Sequence, residues 1–103
     1  MSAPESTADL RRLVALPRPD RRGALQRLIA EEVRTSLLMT ADEYVPVDVS
    51  VFELGLGSLS AVEVKERIEA RLGCAIGSPE IYNHPTVAAL AEFLESRVVE
   101  GRR

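Results

Sequence analysis

The sequence predicts an all-α fold: a small four-helix bundle, three longer helices and one short one, with a long loop between the first and second helices. Three observations lead there. Apolar residues recur at helical spacing in three stretches, 21–38, 58–72 and 86–99. Pro, Gly and Ser punctuate the chain where helices start or stop. The hydrophobic fraction is 46%, yet aromatics make up 4% and Trp is absent, so the core must be mostly aliphatic. A chain of 103 residues has room for one such core.

The elements follow in order. Residues 1–7 are small, polar and broken by Pro4, and read as disordered. Ala8 to Leu16 can form a short helix with Thr7 as N-cap and Leu10, Leu13 and Val14 on one side, ended by Pro17 and Pro19. The first strong helix runs from about Arg21 to Leu38. Asp20 is its expected N-cap, and Leu25, Leu28, Ile29, Val33 and Leu37 form its apolar stripe. Thr40 to Glu43 has the pattern of a capping box around a brief turn. Val45 to Phe52 alternates in part, but a lone strand would have no partner. An extended loop turning Val47, Val49, Val51 or Phe52 inward fits better. Leu54 to Gly57 is a turn, and the second helix runs from Ser58 to Leu72 with Gly73 at its C-terminal stop. Ser78 and Pro79 mark the N-cap and first residue of a short helix that Pro85 ends. Thr86 caps a last helix to about Val99, with Val87, Leu90, Ala91, Leu94 and Val98 inward. The expected organisation is a flexible or linker segment over 1–19, one folded domain over 20–99, and a disordered tail over 100–103.

Composition narrows the function. Net charge is −3 and the isoelectric point about 5.2, unlike a general nucleic-acid binder. Six arginines, from Arg11 to Arg27, crowd the first part of the chain. No aromatics interleave with them, so they read as the solvated face of a linker and first helix. The run also resembles an inter-domain linker. Cys74 is alone, which rules out an intrachain disulfide and fits a reducing cytoplasm. No apolar stretch approaches the ~18 residues of a membrane helix, and the N-terminus lacks the order of a signal peptide. No membrane partner is expected. One Cys and one His make a metal site improbable. A Ser-His-Asp triad would need His84, the only His, together with a sheet and an oxyanion hole that the pattern does not offer.

The second helix holds the informative residues. Ala61, Val64, Ile68 and Leu72 make its core stripe at ~100° per residue. Leu59 and Val62 fall on the opposite side, among Glu63, Glu66 and Glu69. They are either tolerated surface residues or a small contact patch. Ser58 also has two readings. It can cap the helix. Alternatively Gly57 takes the cap, and the Ser58 hydroxyl stays free for covalent modification at a helix N-terminus that favours a phosphate.

The string ELGLGSLSAVEV, from Glu53 to Val64, resembles the signature of acyl carrier domains, especially those of modular polyketide synthases. Tyr82 to Thr86, followed by Val87, Leu90, Ala91 and Leu94, resembles their C-terminal ending. Arg21 to Leu37 looks like their first helix, and Asp48 stands where their loop often has Asp. The likeness covers about Asp20 to Val99. There are departures: Gly57 replaces the usual Asp before the serine, and Leu38 a common Gly. Glu66 and Glu80 stand where apolar residues are frequent.

The resemblance implies an acyl carrier, not an enzyme. Ser58 would receive 4′-phosphopantetheine from coenzyme A by way of a phosphopantetheinyl transferase, with Gly57 and Leu59 flanking the attachment. Acyl groups would travel on the arm as thioesters in polyketide or related biosynthesis. Leu59, Val62, Glu63 and Glu66 would form the partner interface, and Glu69 would add to its acidic field. Ketosynthase, acyltransferase or other synthase enzymes would dock transiently on a monomeric carrier. Interleaved Lys65, Arg67 and Arg71 would weaken that field. The alternatives are a peptidyl carrier domain of a nonribosomal peptide pathway, a helical interaction module in which Ser58 only caps, and a small hydrolase.

Overall fold

The computed structural model describes residues 7–101. The expected disorder of residues 1–6 and of 102–103 lies outside that range. Five helices run in the order α1 (Ala8–Ala15), α2 (Arg18–Ser36), α3 (Ser58–Leu72), α4 (Glu80–Asn83) and α5 (Val87–Gly101). The described residues hold no strand, and one isolated bridge pairs Ser50 with Thr86. The fold is all-α, as expected, with α2, α3 and α5 as the long members and α4 as the short one.

In α1 the Thr7 side chain accepts from the Leu10 amide, as its position predicts. The short helix expected within 1–19 forms, and its Leu13 enters the core. Thr7 Oγ1 also donates to the Arg71 carbonyl on α3, and Asp9 accepts from Arg71 Nε at 2.9 Å. The Arg21 guanidinium reaches back to the Leu16 and Val14 carbonyls, satisfying acceptors that the end of α1 leaves unpaired.

Helix α2 starts three residues earlier than its stripe suggests. Pro17 is the N-cap, Pro19 sits in the first turn, and Asp20 is a first-turn acid instead of the cap. A proline there loses nothing, because the first amides of a helix have no intrahelical acceptor. Just past the end of α2, Leu38 has φ +60°. The Met39 amide bonds the Arg34 carbonyl and the Leu38 amide bonds Thr35, the paired closure that usually recruits glycine.

The long loop is pinned rather than free. The Ala88 amide donates to the Val47 carbonyl and the Val51 amide to Pro85, at 2.9 and 2.8 Å. Val45, Val51 and Leu56 are buried, while Val47 and Phe52 pack partly against the core. The Thr40 turn forms with Glu43 accepting from the Thr40 amide at 2.7 Å.

Helix α3 buries Ala61, Val64, Ile68 and Leu72 and stops at Gly73 with φ +67°, as the sequence predicts. The start of α4 differs: Pro79 occupies the cap position and Ser78 contributes no side-chain cap. Thr86 does cap α5, accepting from the Ala89 amide at 3.0 Å. Helix α5 continues to Gly101, two residues into the expected tail. All core side chains are apolar, and no buried polar residue occurs among the described residues. Cys74 is half-buried, and burial pushes its thiol pKa up, so it does not behave as an activated nucleophile.

Candidate functional site

Leu56 is buried and fixes the loop that leads into α3; its amide donates to the Val51 carbonyl at 3.1 Å. Gly55, at φ +116°, turns the chain outward in a conformation that side-chain-bearing residues rarely adopt. Gly57 then takes the N-cap in an extended conformation, with φ −88° and ψ 175°, and offers no side-chain cap. Its carbonyl accepts from the Ala61 amide at 2.8 Å.

Ser58 is therefore the first helical residue and not the cap. It is exposed, and among the described residues its hydroxyl makes no hydrogen bond. The first turn of α3 carries no acidic side chain, so the positive end of the helix is uncompensated there. A Cβ placed on Gly57 would meet nothing within 4 Å, so the approach to Ser58 is open. A free hydroxyl, open space and unused amide donors fit a serine phosphodiester.

The other expected site residues share the exposed face of α3. Leu59 is 73% exposed and Val62 38%, with Glu63 and Glu66 beside them. Glu69 does not join them: it pairs with Lys65 at 3.2 Å and accepts from the Ile76 amide at 2.6 Å. The cations do not dilute this face as expected. Arg67 turns to Glu32 at 3.0 Å, and Arg71 binds Asp9, Glu31 and Glu32. Glu63 and Glu66 form no ion pair among the described residues.

Leu38, noted in the sequence only as standing where a glycine is common, is 90% exposed, and Tyr44, which sequence reasoning passed over, is 75% exposed. Tyr44 breaks no periodic pattern, so nothing in the sequence flags it. Tyr82 is half-exposed and stacks on Phe52 with ring centroids 5.1 Å apart, joining the loop to α4. His84 stacks on Phe93 at 4.6 Å and has no hydrogen bond to Ser58, which removes the triad.

A cleft of about 340 Å³, lined by Leu13, Leu16, Ala24, Leu28 and the Asp9–Arg71 pair, lies away from Ser58. Arg71 stands 13 residues along α3 from Ser58, about 20 Å at the helical rise. The core seam between Ile29, Val51, Val64 and Leu90 holds only about 10 Å³, at most the space of one water. No described helix is long and apolar enough to cross a membrane.

The comparisons with known proteins agree with this geometry. A family model described as "Phosphopantetheine attachment site" matches residues 24–94, more than half of the chain. The chain is 31% identical over 98 residues to the mycoketide-CoA synthase of Mycobacterium tuberculosis, covering 95% of this chain and 2% of the relative. It is 36% identical over 90 residues to the spectinabilin polyketide synthase system protein NorB of Streptomyces orinoci, covering 87% of this chain and 4% of the relative. Its sequence thus spans a few per cent of these curated relatives' length. Among solved structures, the A1-type ACP domain from module 5 of MLSA1 superposes with a TM-score of 0.78 at 29% identity, covering 89% of this chain and 94% of that one. Domains of this family hold 4′-phosphopantetheine covalently and are carriers rather than catalysts. The chain belongs to the phosphopantetheine-attachment family of acyl carrier domains.

Proposed function

We propose that Ser58 is the attachment point of 4′-phosphopantetheine and that the chain serves polyketide assembly. One observation supports this most. Ser58 sits at the first position of α3 with its hydroxyl exposed and unbonded, because Gly57 has taken the cap. A capping serine would have its oxygen committed to a backbone amide. Gly57 and Leu59 flank the phosphodiester.

The arm's thiol, once attached, holds an acyl group as a thioester. The protein's own residues tether, orient and present it. Tethering raises the effective concentration of the acyl group at a partner's active site without any new contact. The core seam between Ile29, Val51, Val64 and Leu90 is closed and has no room for an acyl chain in this structure.

Leu59, Val62, Glu63 and Glu66 form the face that partners touch. The apolar pair supplies contact area and the glutamates steer basic surfaces, which suits a small and transient interface. The partners on this reading are a phosphopantetheinyl transferase and synthase enzymes such as a ketosynthase or an acyltransferase. The relatives named above are polyketide synthases, which favours this over a peptidyl carrier. The test is incubation with coenzyme A and a broad-specificity transferase, followed by intact mass. One phosphopantetheine adduct, absent in Ser58→Ala, is expected. No adduct, or one that persists in the variant, would sink the proposal.

A further inference from the structure

Helix α2 carries three guanidinium groups that the fold does not use, Arg18 at its start and Arg27 and Arg34 farther along. Arg21, Arg22, Arg67 and Arg71 each bond a carbonyl or carboxylate. The guanidinium groups of Arg27 and Arg34 make no hydrogen bond or ion pair among the described residues. Both line one groove of about 250 Å³ between α2 and the loop, whose floor is Ala30, Val45 and Val47 and whose rim is Tyr44. Tyr44 is 75% exposed, an aromatic left in water at the edge of an apolar floor between two cations.

The acids nearest in sequence do not neutralise the groove. Glu31 is paired with Arg71, and Asp42 and Glu43 are bonded to Thr40. The groove also faces away from α3. Glu32 and Ser36, which meet Arg67 of α3, lie about 140–180° round α2 from Arg27 and Arg34, at 3.6 residues per turn. The molecule thus has two charged faces of opposite sign: Glu63 and Glu66 on α3, and Arg27 and Arg34 on the far side of α2.

We propose that this groove is a second docking site, and that it takes an acidic protein segment carrying an apolar side chain. Charge selects the occupant. Two unpaired arginines suit carboxylates, which they can grip in a bidentate fork. The floor suits an aliphatic or aromatic anchor, and 250 Å³ accommodates one or two side chains. A polyanion such as a nucleic acid fits poorly, because two cations on a chain of net charge −3 give no stripe for it to follow. Because the faces differ in sign, a basic partner at α3 and an acidic one at α2 would not compete for the same surface.

The probe is an octapeptide of alternating glutamate and leucine, titrated into ¹⁵N-labelled protein at low salt. Expected are amide shifts gathered at Arg27, Ala30, Arg34, Tyr44, Val45 and Val47. Affinity should fall about tenfold in Arg27→Ala/Arg34→Ala, the effect of two exposed charge pairs lost together. Arg27→Lys/Arg34→Lys, which keeps the charge and controls for folding, should retain most of the binding. The proposal is overturned if no shifts gather there, or if the alanine variant binds as well. It also fails if a lysine–leucine octapeptide or an eight-base single-stranded oligonucleotide produces the same shifts.

Discussion

Replacing Ser58 with alanine separates a capping serine from a displayed one. A side-chain N-cap lost to alanine costs about 1 kcal/mol, within a range of roughly 0.5–2. Ser58 caps nothing: Gly57 holds that position, and the Ser58 hydroxyl is exposed and unbonded. Alanine at the first helical position loses no contact and gains slightly in helix propensity, at most about 0.5 kcal/mol. Ser58→Ala should therefore leave stability unchanged or raise it by that much. The assay is urea unfolding followed by far-ultraviolet circular dichroism, since the chain has no Trp. With a slope of about 1–3 kcal/mol per molar urea, a lost cap would lower the midpoint by roughly 0.3–1 M. The same protein should lose its phosphopantetheine adduct. A midpoint drop of that size would show that the hydroxyl holds the helix, and the reasoning from Gly57 would be wrong.

Three further outcomes follow from the same structure. Leu38 spends a left-handed conformation on a side chain that is 90% exposed, so Leu38→Gly should raise stability by about 0.5–1 kcal/mol in urea unfolding; a loss would mean that the side chain makes contacts the structure does not show. Gly55→Ala should cost about 1–3 kcal/mol from backbone strain at φ +116°, since an added Cβ would stand an ordinary 3.7 Å from Leu37; an unchanged unfolding midpoint would refute the strain. The hydrogen bond from Arg71 is the largest cause holding the Asp9 carboxyl below its usual pKa of 3.8, against an opposing desolvation. Asp9 thus binds its proton more weakly in the folded state, so its contribution is full above about pH 4 and is lost as pH falls through the depressed value. The amides of α1 should shift below about pH 4 as the helix loosens, and Asp9→Asn should remove that dependence; an identical titration in the variant would assign it to other groups.

Much of the bundle was legible because it rests on local periodicity. The stripe of α3 and its stop at Gly73 follow from spacing and from one glycine. The cap at Thr86 is equally local. What was not legible depends on distant partners. Pro19 reads as a helix breaker, but in the first turn it breaks nothing, so α2 begins before it. Glu69 looks like one more surface acid on a wheel, until Lys65 and the Ile76 amide claim it. Arg67 and Arg71 look interleaved with the acidic face, yet Glu31, Glu32 and Asp9, all from earlier helices, draw them away from it. Periodicity places a charged residue on a helix; it does not say which neighbour takes the charge.

The candidate site shows how a local compromise can serve chemistry. A helix N-terminus asks for a capping side chain, and a serine at the boundary would ordinarily supply it. Here the boundary falls one residue earlier, on a glycine that caps with nothing. The cost is only a few tenths of a kcal/mol against a capping side chain. In return the serine next to it keeps its oxygen, and the first amides of α3 stay unspent. Nothing in the conformation of Gly57 requires glycine: φ is −88° and the space around it is empty. An aspartate, the residue usual before the serine in the carriers this chain resembles, would fit there and could cap the helix. Glycine keeps that end of the helix positive and open, while buried Leu56 keeps it in place. The hydroxyl is presented by a rigid anchor on one side and by the absence of a competitor on the other.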